Sequence, residues 1–343
     1  MTFQVKKPLR VAVLMHEACS PPDEATDEEL KQLPRWKTEY DVVSALRRMG
    51  HEVFPIGHND ELGGIRRALD EHRPQVTFNL IEEFLGNALF DQHVVSFLEL
   101  KRQKYTGCNP RGLTLARDKA LTKKILAYHR IPVPGFAVFP MNRKVRRPRR
   151  LTFPLLVKSV SEEGSAGIAR ASVVNDDEKL RERVEFIHRH TNTHAIVEQY
   201  INGREIYVGV IGNQLLQTYA PWELSITKLP DGAPNIATGR MKWDAKYQEK
   251  VGLSTGAADL APELQKRLER LSKRIYRTLF LSGYARLDHR LTDDGQFYLL
   301  EANPNPNIAH RDDFADSAEA SGIPYPQLLQ KLMTLGMGYD PMQ

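Results

Sequence analysis

The stretch from Tyr284 to Asn303 constrains this chain more than any other, because its strand register can be written down from the residues. Two runs, Tyr284 to Leu291 and Gln296 to Asn303, are joined through Asp294-Gly295, the strongest short hairpin signal available. With Asp294 and Gly295 as the two turn residues, Asp293 faces Gln296, Asp288 faces Glu301 and Arg286 faces Asn303. Side chains alternate along a strand, so these last four share one face, with Leu287, Leu300 and Ala302 on the other. Two carboxylates directly opposite each other repel. A cation is therefore expected between Asp288 and Glu301, unless both point into water or pair with Arg286. Magnesium suits the position, since it prefers oxygen ligands and keeps open sites for phosphates, and Asn303 adds a neutral oxygen.

The N-terminal third alternates apolar runs (Arg10 to Met15, His51 to Ile56, Gln75 to Leu80) with helix-period segments, the pattern of a parallel sheet covered by helices. Val42, Val43, Leu46 and Met49 recur at helical spacing and Gly50 stands where a helix C-terminus expects it. A Rossmann-like unit closing near residue 107, after a helix from about Leu89 to Arg102, is the expectation. Further on, strands are predicted at Phe153 to Ser159 and Ala195 to Gln199, with the glycine-containing loop Ser161 to Gly167 between them. The clearest helix carries Leu264, Leu268, Leu271, Ile275 and Leu279 on one stripe, with Pro262 in its first turn and Gly283 at its end.

The chain of 343 residues is long enough for two or three domains. Its longest apolar runs, such as Val11 to Met15, fall far below the roughly 20 residues of a membrane span. Cys19 and Cys108 are the only cysteines, so neither a disulfide framework nor a cysteine metal site is expected. The net charge is +5, and its densest source is Arg143-Lys144-Val145-Arg146-Arg147-Pro148-Arg149-Arg150. No aromatic residue interleaves with those arginines, as a single-strand nucleic-acid site would require. They are read as a solvated loop between two strands.

Taken in order, several motifs resemble the ATP-grasp superfamily, and within it the D-alanine-D-alanine ligase branch. They are Arg117-Asp118-Lys119-Ala120-Leu121-Thr122-Lys123, Leu156-Val157-Lys158, Val197-Glu198-Gln199-Tyr200-Ile201-Asn202-Gly203-Arg204-Glu205, Trp243-Asp244-Ala245-Lys246-Tyr247, Arg286-Leu287-Asp288 and Leu300-Glu301-Ala302-Asn303-Pro304. The resemblance runs from about Arg10 to Met333. It implies an α/β chain of ATP-grasp fold, with a Rossmann-like domain over residues 1–107 and two α+β subdomains, 108–200 and 201–343, that sandwich ATP. It further implies that Lys119, Lys158 and Ser165 of the loop reach the nucleotide phosphates. Glu198 would accept from the adenine amino group, the backbone of Gln199 and Ile201 would read the ring edge, and Glu205 would take the ribose hydroxyls. Lys246, with Tyr247, corresponds to a loop that closes over the phosphates. Asp288, Glu301 and Asn303 correspond to a two-magnesium site in which manganese is an alternative ion, and Arg286 to the arginine that steadies the oxyanion.

The implied activity is an ATP-dependent carboxylate-amine ligase forming an amide or peptide bond through an acyl phosphate, on small amino-acid or peptide-like substrates. Arg286, Lys158 and Lys246 would be its catalytic residues. A cytoplasmic homodimer without membrane or nucleic-acid partners is the expected setting. Departures from the family pattern fall on the substrate side. The glycine-rich loop after the first strand, with its amine-holding glutamate, is replaced by Met15-His16-Glu17-Ala18-Cys19-Ser20-Pro21-Pro22, leaving Glu17 or Glu24 as substitutes. The histidine motif after the third strand reads Asn79-Leu80-Ile81-Glu82-Glu83-Phe84-Leu85-Gly86, and the serine-leucine pair for the second carboxylate is replaced by Asp312-Asp313. A different substrate is expected, one offering an amine to Glu82 or Glu83 and a carboxylate to Arg311 unless Arg311 pairs with Asp312 or Asp313. Authentic D-alanine-D-alanine ligase is the nearest alternative. A nucleotide-binding module without chemistry is another, which the oxyanion arginine speaks against.

Overall fold

The computed structural model describes residues 7–341, apart from residue 33, residues 162–167 and residues 230–233. Three sheets follow one another along the sequence. The first is parallel, with β1 (Arg10–His16), short α1 (Asp27–Lys31), α2 (Lys37–Arg48), β2 (Glu52–His58), α3 (Leu62–His72) and β3 (Val76–Asn79) in strand order β2-β1-β3. Val11 to Met15 of the central β1 are fully buried, which is why the strand reads as a continuous apolar run. Strand order reverses on either side of β1, so a crevice opens at the carboxyl ends of β1 and β3, where sheets of this kind bind ligands.

Helices α4 (Asp91–Leu100), α5 (Pro110–Arg117) and α6 (Lys119–Tyr128) lead into the second sheet, β4 (Phe136–Phe139), β5 (Leu155–Ser159), β6 (Val173–Val174) and β7 (Ala195–Gln199). It is antiparallel in order β4-β7-β5-β6, backed by α7 (Asp177–Thr191). The basic run lies between β4 and β5, with Arg147 bonded to Asp177 and set over the Phe153 ring.

The third sheet has order β11-β10-β8-β12-β13, with β9 beside β8. Its strands are β8 (Arg204–Ile211), β9 (Gln217–Thr218), β10 (Trp222–Ile226), β11 (Leu253–Ala257), β12 (Tyr284–Leu291) and β13 (Phe297–Pro304). The helices of this part are α8 (Gly239–Trp243), α9 (Ala245–Val251), α10 (Pro262–Thr278), α11 (Asp313–Ala320) and α12 (Tyr325–Gly338). The expected stripe packs α10 against β8 and β9, but the helix ends before Gly283: the left-handed residue after it is Phe280 (φ 54°). Leu328, Leu329, Leu332 and Met333 of α12 share a core with Val11, Val13 and Leu46, so the end of the chain returns to the first sheet across the proposed divisions at 107 and 200. Among the described residues no helix is long and apolar enough to cross a membrane.

The β12–β13 hairpin departs from the expected turn and yet keeps the expected face. The amide of Thr292 bonds Gln296 O at 3.0 Å and that of Gly295 (φ 79°) bonds Thr292 O at 2.9 Å, so Thr292 rather than Asp293 faces Gln296. The loop holds three residues, closed by a left-handed glycine. That extra residue shifts the register, giving Leu291↔Phe297, Arg290↔Tyr298 and His289↔Leu299. A bulge at Leu300 shifts it back, so that Asp288 faces Glu301 and Arg286 faces Asn303. Leu299, 1% exposed, takes the core position expected of Leu300.

Gly283 enters β12 at φ +66°, and a Cβ there would stand 2.3 Å from Gly107 O. Around it Cys108 N donates to Asn305 Oδ1 (2.7 Å) and Asn109 N to Ser282 Oγ (2.9 Å), a seam joining the first unit to the hairpin. Gly283→Ala is expected to destabilise by more than about 2 kcal/mol, through strain and overlap together. Thermal unfolding measures this, and an unchanged midpoint would show that the seam is not rigid.

Candidate active site

The hairpin face is built by strand alternation. Arg286, Asp288 and Arg290 rise from β12 opposite Asn303 and Glu301 of β13, with Glu205 and Tyr207 of β8 on the other flank. Arg286 grips Asp288 with two bonds, Nε to Oδ1 at 2.8 Å and Nη2 to Oδ2 at 3.0 Å, and its guanidinium lies 4.5 Å from the Tyr207 ring centroid. Asn303 Nδ2 donates to Asp288 Oδ2 at 2.9 Å. Glu205 is fixed by Arg290 Nη2 and the Tyr207 hydroxyl, both at 2.9 Å. Burial pushes the Asp288 carboxyl above the usual range; Arg286 pulls it back, while Glu301 and Glu205 push it further up.

Three buried lysines stand beside this face. Asp118 caps α6 by accepting from Ala120 N and Leu121 N, and the helix then presents Lys119 and Lys123, four residues apart, on one side. Lys119 Nζ lies 2.9 Å from Glu301 Oε1. Glu198 of β7, 1% exposed, has Lys158 Nζ at 3.1 Å and Lys123 Nζ at 3.4 Å from the same oxygen. Burial pushes the Lys123 ammonium down, to about 8, against the pull of Glu198. Burial also opposes the Lys158 charge, but Glu198 and Glu301 outweigh it and raise that group. Among these described pairs, three ammoniums meet two carboxylates, so the cluster favours an anion.

Arg286, Asp288, Glu301, Asn303, Lys119, Lys158 and Glu205 thus converge on one network, whose joint is the Lys119–Glu301 pair. The cation expected between the paired carboxylates is supplied in part by the protein, through Lys119 and Arg286. Glu198, expected to accept from an adenine amino group, stands enclosed between Lys123 and Lys158. The Gln199 amide bonds Gly135 O at 2.7 Å and Ile201 follows at the partly exposed edge of β7. Lys246 is exposed on α9, outside the lysine cluster. Ser165 lies outside the described residues. Lys123 was not singled out as a site residue, although its spacing from Lys119 was the available signal.

The substrate side differs more from expectation. Glu17 and Glu24 are exposed, as is Arg311, which forms no ion pair among the described residues. Instead Glu39 of α2 is 7% exposed, and its Oε2 meets no hydrogen-bond partner. Burial lifts its carboxyl to about 7; its own amide pulls it down and Glu82 pushes it up. Asp312 is likewise lifted to about 6 by burial and by Asp313, with Arg286 opposing.

Residues 125–334 match the family model described as D-ala D-ala ligase C-terminus. An uncharacterised protein of Sinorhizobium fredii, y4sG, is 29% identical over 309 residues, 88% of this chain and 87% of that one. The D-alanine–D-alanine ligase of Syntrophotalea carbinolica is 31% identical over 85% of this chain and 88% of its own. Among solved structures, the D-alanine–D-alanine ligase from Bacillus anthracis complexed with ATP is 22% identical with a TM-score of 0.74, covering 96% of this chain and 98% of that one. The VanG D-Ala:D-Ser ligase from Enterococcus faecalis has a TM-score of 0.69 at 20% identity, covering 96% and 100%. These structures have the same fold as this chain.

A carboxyl raised from 4.5 to about 7 in the fold stabilises only while protonated. Its contribution is complete below 4.5 and is lost as pH rises through 7. Glu39→Gln, which cannot ionise, is therefore expected to gain up to about 3 kcal/mol over the parent at pH 8 and almost nothing at pH 5. Urea unfolding at the two pH values measures it; equal effects at both would mean that Glu39 does not ionise in a buried place.

Proposed function

The chain belongs to the D-alanine–D-alanine ligase family of ATP-grasp enzymes, ADP-forming ligases, and from that membership we propose that the hairpin network joins a small carboxylate to an amine through an acyl phosphate. The observation that carries this reading is continuity. The buried lysines, suited to polyphosphate, and the paired carboxylates, suited to a hard cation, are one structure linked at Lys119–Glu301.

In the first step the donor carboxylate oxygen attacks the γ-phosphorus of ATP, the bond to the β-phosphate oxygen breaks, and ADP leaves with the electron pair. Lys119, Lys123 and Lys158 offset the charge of the phosphates, and Glu198 keeps Lys123 and Lys158 together. Ile201 and the strand edge beside it would read the adenine ring, and Glu205, fixed by Arg290 and Tyr207, would accept from the ribose hydroxyls. Ser165 of the 161–167 loop and Lys246 would cover the phosphates and keep water from the acyl phosphate. In the second step the amine nitrogen attacks the acyl carbon, phosphate departs with its oxygen, and the proton lost by nitrogen passes to phosphate or solvent. Arg286 steadies the oxyanion between these events, a role worth about 3 kcal/mol.

Two carboxylates and an amide oxygen on one strand face form a hard oxygen set, and the upward push of Glu301 on the Asp288 carboxyl is what a divalent ion would relieve. Asp288, Glu301 and Asn303 would hold magnesium, or manganese in its place. The ion would supply charge neutralisation for the transferring phosphoryl group. A cytoplasmic location and a homodimer go with this chemistry and this family.

A second reading, authentic D-alanine–D-alanine ligase, is favoured by the relative from Syntrophotalea carbinolica. The divergence at Glu17, Glu82 and Asp312-Asp313 favours another substrate. Incubation with ATP, magnesium and D-alanine separates the two: rapid dipeptide formation would establish the second reading. Across a panel of carboxylates and amines, substrate-stimulated ADP release is expected. Glu301→Gln should lower its kcat at least about 100-fold with an unchanged thermal midpoint. Tight nucleotide binding with no stimulated turnover would reduce the protein to a binding module.

A further inference from the structure

Lys123 stands behind the lysine cluster, and the atoms around it point to a task other than meeting a ligand; this inference rests on the ligase reading above. The residue is 1% exposed. Three oxygens surround its Nζ: Leu300 O at 2.9 Å, Leu299 O at 3.4 Å and Glu198 Oε1 at 3.4 Å. An ammonium has three protons to give, so each has an acceptor inside the protein. The charge of Lys123 reaches phosphates through space, but its protons are already placed. Lys158 lies nearer to the same Glu198 oxygen, at 3.1 Å. The shortest polar contact of Lys123 is therefore a neutral carbonyl, not the carboxylate beside it.

That carbonyl belongs to Leu300, the residue without a partner in the β12–β13 ladder. A bulged residue is left out of the cross-strand pairing, and Lys123 supplies a donor for its oxygen. A peptide unit is planar, so holding the Leu300 oxygen also holds the plane that carries the Glu301 amide. The direction in which the Glu301 side chain leaves the strand is fixed with it. Glu301 is the carboxylate that faces Asp288, and a small hard ion takes an oxygen from each only when the two are closely placed. The tie also crosses between sheets: Lys123 on α6 and Glu198 on β7 stand on one side of it, and β13 on the other.

We propose that Lys123 is a positioning residue for the divalent ion: by holding the Leu300 carbonyl it sets the Glu301 carboxylate opposite Asp288, and so sets how tightly magnesium or manganese is bound.

The test uses the full chain with a saturating non-hydrolysable ATP analogue and reads the dissociation constant for Mn2+ from the electron paramagnetic resonance of the free ion. Lys123→Met is expected to raise that constant at least about tenfold, the usual cost of losing a group that orients a metal ligand. By charge alone the opposite would follow, because removing an ammonium favours a cation nearby. An unchanged or lower constant would therefore overturn the assignment. In a Glu301→Gln background the same change should add less than about twofold, since no carboxylate is left to aim. A full additive loss there would mean general loosening and would also overturn it. Should Lys123→Met fail to fold by its thermal midpoint, Lys123→Gln, whose amide can serve one carbonyl, is expected to weaken the ion in the same sense, and an unweakened ion would count against the proposal equally. A parent chain that binds neither the analogue nor the ion would overturn the ligase reading and this inference with it.

Discussion

The site depends on one buried carboxylate. Two lysines nearly free of solvent, Lys123 and Lys158, would each lose the hydration of a full charge, and Glu198 makes that burial tolerable by sharing a single oxygen between them. The two respond in opposite directions, which identifies their roles. Lys158 has Glu301 and Glu205 within electrostatic reach as well as Glu198 and keeps its proton firmly. Lys123 donates to Leu300 O at 2.9 Å and Leu299 O at 3.4 Å, and burial, with the repulsion of Lys158, pushes it down to about 8 against the pull of Glu198 and Glu301. An arriving polyphosphate would offset the burial of the Lys123 charge and raise this group again.

Those carbonyls connect the lysines to the hairpin register. Leu300 is the residue left out of the β12–β13 ladder, and its carbonyl accepts from Lys123. The bulge therefore restores the Asp288–Glu301 pairing after a three-residue turn and also turns a backbone oxygen toward the lysine. Alternation and the Asp294-Gly295 signal made the pairing of Asp288 with Glu301 and of Arg286 with Asn303 legible in the sequence. They left the turn length and the bulge hidden, since two one-residue shifts of opposite sense cancel at the site. Nothing local in Phe297 to Asn303 distinguishes a bulge at Leu300 from a straight strand; Lys123, which meets the bulged carbonyl, is far away in the sequence.

Burial of charged residues was the other thing the sequence did not reveal. Lys123 and Glu39 both sit in helices whose charged positions read as solvent-facing, yet they are 1% and 7% exposed. Helical periodicity marks which side of a helix is apolar. It does not mark where a second unit closes over the polar side, as β13 and β7 do over α6. In contrast, Lys158 and Glu198 end apolar strands, and a charge in that position already asked for a partner.

The consequence for function is a site polarised along its length. Lysines from α6 and β5 face one end, acids from α2 and the β13–α11 connection face the other, and the Arg286–Asp288 pair stands between them with its charges satisfied. Arg286, already gripped by Asp288, gains little by binding a ground-state carboxylate. It is pre-oriented for charge that appears later, on the oxygen of a tetrahedral intermediate, which is where a fixed donor accelerates rather than merely binds.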